Sequence, residues 1–385
     1  MTAPSVAELK VPAEGVYELH VHLGGAVPIH RLYESAVDRG IRLPVQTYDE
    51  FSDLLHRRSD NSGSLEKYLE IYEVAERIQS GPQALRESVL IALNGAARTG
   101  GSTRVAAEGE ALTPLPHRLP IRGIELRLNP LKRNGGGIWD LDRVMLAACS
   151  AVEEIQTAYK GRVRAGLIVC LGRDLPDEQN HILASKIALW AEKGLPVVGV
   201  DLAGPESANN LADPERMRKM ASFFEMAGVG RTVHCGETRS TSLELFLATL
   251  RELKPARVGH PLIAALAYWS DGDDRGLRAM ARNGVVAELC VVSNLLTRAV
   301  TGVEEYGRLL KTFDEFGVEY TFSTDAPALQ KTTLASELEL LLSRGAATLD
   351  QLERSFETAL QASFLARSVN PRRRATDQPL TADAR

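Results

Sequence analysis

Eight short runs of apolar and β-branched residues recur along the chain, with helical stretches between them. Parallel strands need a crossover long enough for a helix, so this alternation predicts a parallel α/β sheet. Eight units predict a (β/α)8 TIM barrel, whose functional residues lie at the carboxyl ends of the strands. An open doubly wound sheet is the competing fold, but Leu23-Gly24-Gly25-Ala26 lacks the glycine pattern of its phosphate turn. The predicted strands are 16–22, 121–127, 163–170, 197–202, 231–234, 257–260, 285–290 and 319–325.

The barrel accounts for most of the predicted domain organisation. We predict a single domain over 1–370, with a helical insertion at about 28–98, an irregular loop at 99–120 and a disordered tail at 371–385. The net charge of −5 gives no electrostatic reason to expect nucleic acid or an anionic membrane as a partner. No stretch reaches the ~18 apolar residues of a membrane span, and no secretion signal is visible. We therefore expect a cytoplasmic monomer or homodimer that acts on a small-molecule substrate.

Histidine and aspartate side chains lie at or near the ends of several predicted strands. His20 and His22 are two residues apart on the first strand, so both imidazoles face the same side. Such a pair alone is as often a hydrogen-bonded core feature as a metal site. The metal-site interpretation is favoured because His234, His260 and Asp325 lie at the ends of later predicted strands. Three imidazoles and a carboxylate suit one Zn²⁺ with room for a water molecule, and the four cysteines form no CxxC pair that would bind the metal instead.

Glu237 follows His234 by three residues, in the predicted loop over the site. A carboxyl enclosed in a partly dry pocket has its pKa raised and can act as an acid. The competing interpretation is an ordinary acidic residue at a helix N-terminus. Cys235 should point away from the metal, since neighbouring strand residues face opposite sides.

A stripe of apolar and aromatic residues in the insertion has helical spacing. Leu65, Tyr68, Leu69 and Tyr72 fall at i, i+3, i+4 and i+7. Such a stripe usually faces a core, but beside an active-site mouth it can form an apolar lid. The spacing leaves both interpretations open.

Six segments follow one another along the chain: ELHVHLGGAVP, GVDLAGPE, TVHCGE, RVGHP, ELCVVSN and FSTDAP. Together they resemble the adenosine deaminase family of metal-dependent hydrolases, within the amidohydrolase superfamily, and the resemblance covers about residues 16–365. It implies a (β/α)8 barrel with one zinc ion per chain. The zinc ligands that it implies are His20, His22, His234 and Asp325.

The resemblance also implies the chemistry of the site. Glu237 would donate a proton to a ring nitrogen of a purine-like substrate, while His260 and Asp325 would orient and deprotonate the metal-bound water. The resulting hydroxide would attack the amine-bearing carbon, and ammonia would leave. The backbone of Gly204 would contact the base. Leu65, Tyr68 and Tyr72 look similar to the family helix that roofs the substrate pocket, which favours the lid interpretation.

Three departures from the family pattern affect the expected substrate. The family usually has TDDP where this chain has TDAP, so Ala326 replaces a carboxylate that normally binds the purine. Gly24 stands where adenosine-specific members carry an aspartate that helps to hold the sugar. The 99–120 loop is also long. We therefore expect deamination of a related aminated heterocycle more than of adenosine itself.

Other functions remain open from the sequence. Binuclear amidohydrolases usually bridge two metals with a lysine at the end of the fourth strand, but here that strand ends near Asp201 and the nearest lysine, Lys193, precedes it. A cytidine-deaminase-type enzyme would carry HxE and a later PCxxC, and neither occurs. The main alternative is a family hydrolase that cleaves another C–N or C–O bond in a non-adenosine substrate. The remaining one is a catalytically silent binding relative.

Overall fold

The computed structural model describes residues 4–60, 64–101, 119–135, 137–208, 210–238 and 240–366. Eight strands form one sheet in sequence order, and each is parallel to the next. The last strand returns to the first, where the Asp325 amide donates to the His20 carbonyl oxygen at 2.9 Å. The predicted (β/α)8 barrel is therefore confirmed. The strands are β1 (Val16–His22), β2 (Ile121–Leu128), β3 (Arg164–Gly172), β4 (Val197–Ala203), β5 (Gly230–His234), β6 (Arg257–Gly259), β7 (Val286–Leu289) and β8 (Tyr320–Phe322).

Helices alternate with the strands and pack around them. Several begin at a hydroxyl side chain that accepts a backbone N–H of the first turn, as Ser64 and Ser242 do for α4 and α9 below. Among the helices described, none combines the length and apolar character needed to cross a lipid bilayer. The helices are α1 (Leu23–Ala26), α2 (Ile29–Asp38), α3 (Tyr48–Asp60), α4 (Leu65–Ile78), α5 (Pro82–Gly101), α6 (Leu141–Ala158), α7 (Asp177–Glu192), α8 (Pro214–Ala227), α9 (Leu243–Leu253), α10 (Leu262–Asp271), α11 (Arg275–Arg282), α12 (Val291–Leu296), α13 (Val303–Phe316), α14 (Leu334–Ser343) and α15 (Leu349–Ala362).

Three strands, β6, β7 and β8, end earlier than the sequence predicts. β6 stops at Gly259 and β8 at Phe322, so His260 and Asp325 lie just beyond them. Both residues have positive φ angles, +55° for His260 and +58° for Asp325, which an extended strand cannot contain. Left-handed backbone at non-glycine residues is uncommon and concentrates at functional sites. The backbone therefore turns at the two positions where reactive side chains enter the barrel mouth.

The predicted loop at 99–120 also begins later than expected, because α5 continues to Gly101. Leu93 and Ala97 are buried along this helix, so packing sustains it toward its end. Residues 102–118 of that loop and the predicted tail at 371–385 lie outside the described residues.

One glycine in the turn after β1 has no room for a side chain. A Cβ built on Gly25 would lie 2.2 Å from the Cβ of Ala326, whereas one built on Gly95, in α5, would meet nothing within 4 Å. We expect Gly25→Ala to lower the free energy of unfolding by about 1–3 kcal/mol through overpacking. Gly95→Ala should raise it by about 0.5–1 kcal/mol, because alanine favours an exposed helix. Urea denaturation of the two variants measures both effects, and equal stabilities would contradict the packing argument.

Candidate metal centre and active-site cavity

Four imidazoles meet at the carboxyl end of the barrel. His20 lies with its ring centroid 4.6 Å from that of His234 and 4.8 Å from that of His260. The Nε2 atoms of His22 and His234 are 3.1 Å apart. Asp325 places Oδ1 3.9 Å from His20 Nε2 and 3.7 Å from His22 Nε2. The structure thus brings together all five residues that the sequence singled out for the metal and the water.

Buried carboxylates fix the orientation of two of these imidazoles. His20 Nδ1 lies 2.8 Å from Glu288 Oε2, and His234 Nδ1 lies 3.0 Å from Asp201 Oδ2. A carboxylate can only accept, so each Nδ1 donates and each Nε2 keeps its lone pair. His20 Nε2 is buried and has no hydrogen-bond partner within the described part of the chain. An unpartnered buried nitrogen that faces two more imidazoles and a carboxylate fits a bound metal ion.

His20 and His22 are held in the neutral form that binds metals. Burial lowers the pKa of His20 and of His22 well below the usual imidazole value. A second group of ligand atoms, from His20, His260 and Cys290, also lies within 4.8 Å. Burial raises the pKa of the Cys290 thiol well above its usual value, so this sulfur stays protonated and is the poorer ligand. The group of three histidines with Asp325 is therefore the better metal site.

Arginines inside the barrel keep the orienting carboxylates ionised. Burial alone would raise the pKa of Asp201, but His234 and Arg127 hold it below the usual value. Arg127 and Arg257 do the same for Glu288. Arg127 Nη1 lies 3.0 Å from Asp201 Oδ2, and Arg257 Nε lies 2.7 Å from Glu288 Oε1. Sequence reasoning missed Glu288 and both arginines, although charged residues within otherwise apolar strands were a visible signal.

Glu237 occupies a buried position at the edge of the site. Its Oε1 accepts hydrogen bonds from Thr297 Oγ1 at 2.9 Å and from Asn294 Nδ2 at 3.2 Å. Burial, together with the nearby Glu206 carboxylate, raises the pKa of Glu237 to about 7. Both accepted bonds fall on Oε1, so the other oxygen is the one to carry a proton. Half of these carboxyls are thus protonated near neutral pH, as an acid catalyst requires.

Glu206 holds the loop that carries Glu237. Its Oε1 accepts the Gly236 amide at 2.6 Å, and its Oε2 accepts the Thr238 amide at 2.8 Å. Glu206 ends the GVDLAGPE segment, whereas the loop follows β5. The Glu206 carboxylate therefore connects two of the six segments, GVDLAGPE and TVHCGE, through hydrogen bonds.

The short helix α12 positions three of the reactive groups. Asn294 Nδ2 lies 3.0 Å from His260 Nδ1, and Ser293 Oγ donates to Asp325 Oδ2 at 2.6 Å. Burial lowers the pKa of His260 to about 4, so His260 is neutral and its Nδ1 accepts from Asn294. The proton of the ring then lies on Nε2. Glu337 anchors the start of this helix, because its Oε2 accepts the Val291 amide at 2.8 Å.

A cavity of about 320 Å³ opens onto these groups. It is lined by Glu237 and His260 and by the apolar stripe of α4. Leu65 and Tyr68 are nonetheless buried, so the stripe both joins the core and faces the cavity. Ala326 does not line it, and is fully buried against Gly25. The predicted substrate residues that do line the cavity are Gly24, Leu65, Tyr68, Tyr72 and Gly204.

Comparison with known proteins identifies one family. The model of the family described as adenosine deaminase matches residues 16–376. The chain is 25% identical to an adenosine deaminase of Clostridium kluyveri over 347 residues, which cover 90% of this chain and 88% of that protein.

Two solved structures share the fold. The adenine deaminase of Arthrobacter aurescens superposes with a TM-score of 0.73 and 19% identity, covering 92% of this chain and 96% of that one. An amidohydrolase from Burkholderia ambifaria, solved with bound Zn, gives a TM-score of 0.69 and 18% identity, covering 94% and 91%. At these identities the likeness establishes a common barrel fold.

Proposed function

The chain belongs to the adenosine deaminase family, and on that premise we propose that it is a zinc-dependent hydrolytic deaminase of an adenosine-like or other aminated heterocyclic substrate. Family membership makes it a C–N hydrolase. The finer proposal rests on one observation, the convergence of three imidazoles and Asp325 at the unpartnered His20 Nε2, beside the buried carboxyl of Glu237.

We propose that one zinc ion is held by His20, His22, His234 and Asp325. When bound there, a zinc ion supplies Lewis-acid activation of water at neutral pH. The zinc-bound amidohydrolase with the same fold supports this choice of metal.

The protein groups divide the proton transfers between them. Glu237 donates its proton to the ring nitrogen next to the amine-bearing carbon, because its carboxyl lines the cavity and its pKa of about 7 keeps part of it protonated at neutral pH. His260 and Asp325 orient the attacking water, and the Asp325 carboxylate accepts its proton, because the proton of the His260 ring already lies on Nε2. Asn294 and Ser293 hold these two side chains in place through His260 Nδ1 and Asp325 Oδ2. The stripe on α4 covers the cavity and limits the entry of bulk water.

Ammonia release tests the proposal against its alternatives. Zinc-loaded protein is incubated with adenosine, adenine, adenosine monophosphate and other aminated purines, and free ammonia is quantified. Ammonia from at least one of them is expected. A family hydrolase that cleaves another bond would give product without ammonia, and a silent binding relative would give no product at all.

The Glu237 pKa sets the expected pH dependence. Because its pKa is raised to about 7 and the protonated form is the donor, kcat/KM should fall about tenfold per pH unit above this value. Glu206→Gln removes a negative charge that raises this pKa, so the alkaline limb should move to lower pH. A pH–rate profile of both proteins measures the shift. An alkaline limb that stays at the same pH in the variant would contradict the assignment.

A further inference from the structure

Arg133 is a buried arginine on the wall of the cavity that the proposed mechanism does not use. It lies in the turn after β2, where its amide donates to the Pro130 carbonyl at 3.2 Å and its carbonyl accepts the Gly81 amide at 2.8 Å. Its side chain is only 2% exposed, yet it lines the same cavity as His22 and Glu237. The backbone contacts thus hold the guanidinium at a defined place in the cavity wall.

Several N–H donors of the Arg133 guanidinium lack a hydrogen-bond acceptor among the described residues. Its Nη1 forms an ion pair with Glu76 Oε1 at 2.8 Å, but Nε and Nη1 have no hydrogen bond of acceptable geometry to any described residue. A guanidinium carries five N–H donors, and leaving such donors unpaired in a buried position costs free energy. Buried N–H donors of this kind call for an acceptor that the described residues do not provide.

The guanidinium of Arg133 lies close to Gly24, next to the proposed metal centre. Arg133 Nη2 lies 3.4 Å from the point that a Cβ on Gly24 would occupy, and the ring of Tyr72 lies 2.6 Å from that point. Gly24 follows the predicted ligand His22 by two residues, so the guanidinium faces the cavity close to the reactive groups. Since Glu76 holds the Nη1 side, Nη2 is the nitrogen directed toward Gly24.

The exposed charges around the cavity do not cancel this site. Lys132 is paired with Asp174 at 3.5 Å, and both side chains are partly exposed. Glu66, Glu70 and Glu73, on α4, are exposed. Water and salt screen those carboxylates, whereas the charge of Arg133 acts in a buried, low-dielectric environment.

We propose that Arg133 determines substrate specificity by binding an anionic group, a carboxylate or a phosphate, on the part of the substrate remote from its amine. This inference rests on the proposed function and narrows its substrate class to aminated heterocycles with an acidic substituent. Arginine suits both groups because its planar fork donates two parallel hydrogen bonds to their oxygens. Glu76 is then a positioning residue that orients the fork.

Matched neutral and anionic ligands test this directly. Adenosine, adenosine monophosphate and adenosine-5′-carboxylic acid are compared as substrates of the zinc-loaded protein by kcat/KM. Inosine and inosine monophosphate are compared by calorimetric titration, which needs no turnover. We expect at least one anionic ligand to be preferred over its neutral counterpart by about tenfold or more, the effect of one charge-assisted hydrogen bond.

Three variants test whether Arg133 is the residue that causes the preference for anionic ligands. Arg133→Met should reduce the anionic-to-neutral ratio about tenfold, since it keeps the length of the side chain but not its charge. Glu76→Gln should raise the ratio, because it removes the carboxylate that competes for the guanidinium. Arg86→Met is the control, since Arg86 forms a partly exposed ion pair with Glu154 on the outside of the barrel. It should leave the ratio unchanged.

The outcomes separate this inference from the proposed function. Preference for the monophosphate identifies phosphate as the group, and preference for the carboxylic acid identifies carboxylate. A ratio near one in the wild type, or one that neither Arg133→Met nor Glu76→Gln changes, overturns the inference even if ammonia is released. Absence of ammonia from every substrate, with Arg133-dependent binding of inosine monophosphate, overturns the proposed function and leaves the anion site standing.

Discussion

Glu237→Gln is expected to reduce kcat for ammonia release by about 10²- to 10⁴-fold, the usual contribution of a general acid. The amide has nearly the same shape as the carboxyl and can still accept from Thr297 and Asn294 through its oxygen. It has no acidic proton to give to the ring nitrogen. The fold and the metal site should therefore persist while the chemical step fails.

Two controls make this result specific. Glu225→Gln changes an exposed glutamate on α8 and should leave kcat unchanged. Zinc content and thermal unfolding of Glu237→Gln should match the wild type, because Glu237 is not among the predicted ligands. Wild-type activity in the Glu237→Gln protein would mean that another group supplies the proton.

His234→Ala is expected to remove most of the bound zinc and, with it, essentially all activity. It deletes one of the four proposed ligands and leaves a cavity beside Asp201. Elemental analysis after dialysis against a chelator measures the zinc directly. His30→Ala, on the exposed side of α2, is the control and should retain about one zinc ion per chain if four ligands make the proposed site.

A variant of Asp201, the carboxylate that orients His234, should lose part of the zinc rather than most of it. Asp201→Asn keeps the size of the side chain but loses the charge that holds His234 Nδ1. Replacing such a partner typically lowers metal affinity by about 10- to 100-fold. We therefore expect Asp201→Asn to retain less zinc than the wild type and more than His234→Ala. Full zinc retention in His234→Ala would place the metal elsewhere.

The residues nearest the chemistry could be predicted because their geometry is local. Two-residue spacing on one strand directs His20 and His22 to the same side, and the barrel topology gathers strand ends at one face. Glu237 also followed from its short distance in sequence to His234. These inferences need only the strand periodicity and the order of the motifs.

The supporting residues could not be predicted because their contacts are long-range. Glu288 meets His20 and Arg127 from distant strands, separated from them by 268 and 161 residues. The left-handed turns at His260 and Asp325 depend on the barrel closing around them, and no local pattern marks them.

The surroundings of two further residues, Arg133 and Ala326, also could not be predicted from the sequence. Arg133 lies outside every motif, and only the folded chain brings it beside Gly24 and Glu76. Ala326 was expected to affect substrate binding through its missing carboxylate, yet it is packed against Gly25 away from the cavity lining. Side-chain packing, which strand and helix periodicity does not specify, decides both cases.

The most direct test of the proposed hydrolytic deamination is the fate of oxygen and nitrogen in one turnover. Zinc-loaded protein is mixed with an aminated purine in water enriched in oxygen-18, and both ammonia and product mass are measured. Hydrolytic deamination predicts that each ammonia released is matched by one oxygen-18 atom in the heterocyclic product. Product that forms without ammonia, or without the heavy oxygen, would contradict it.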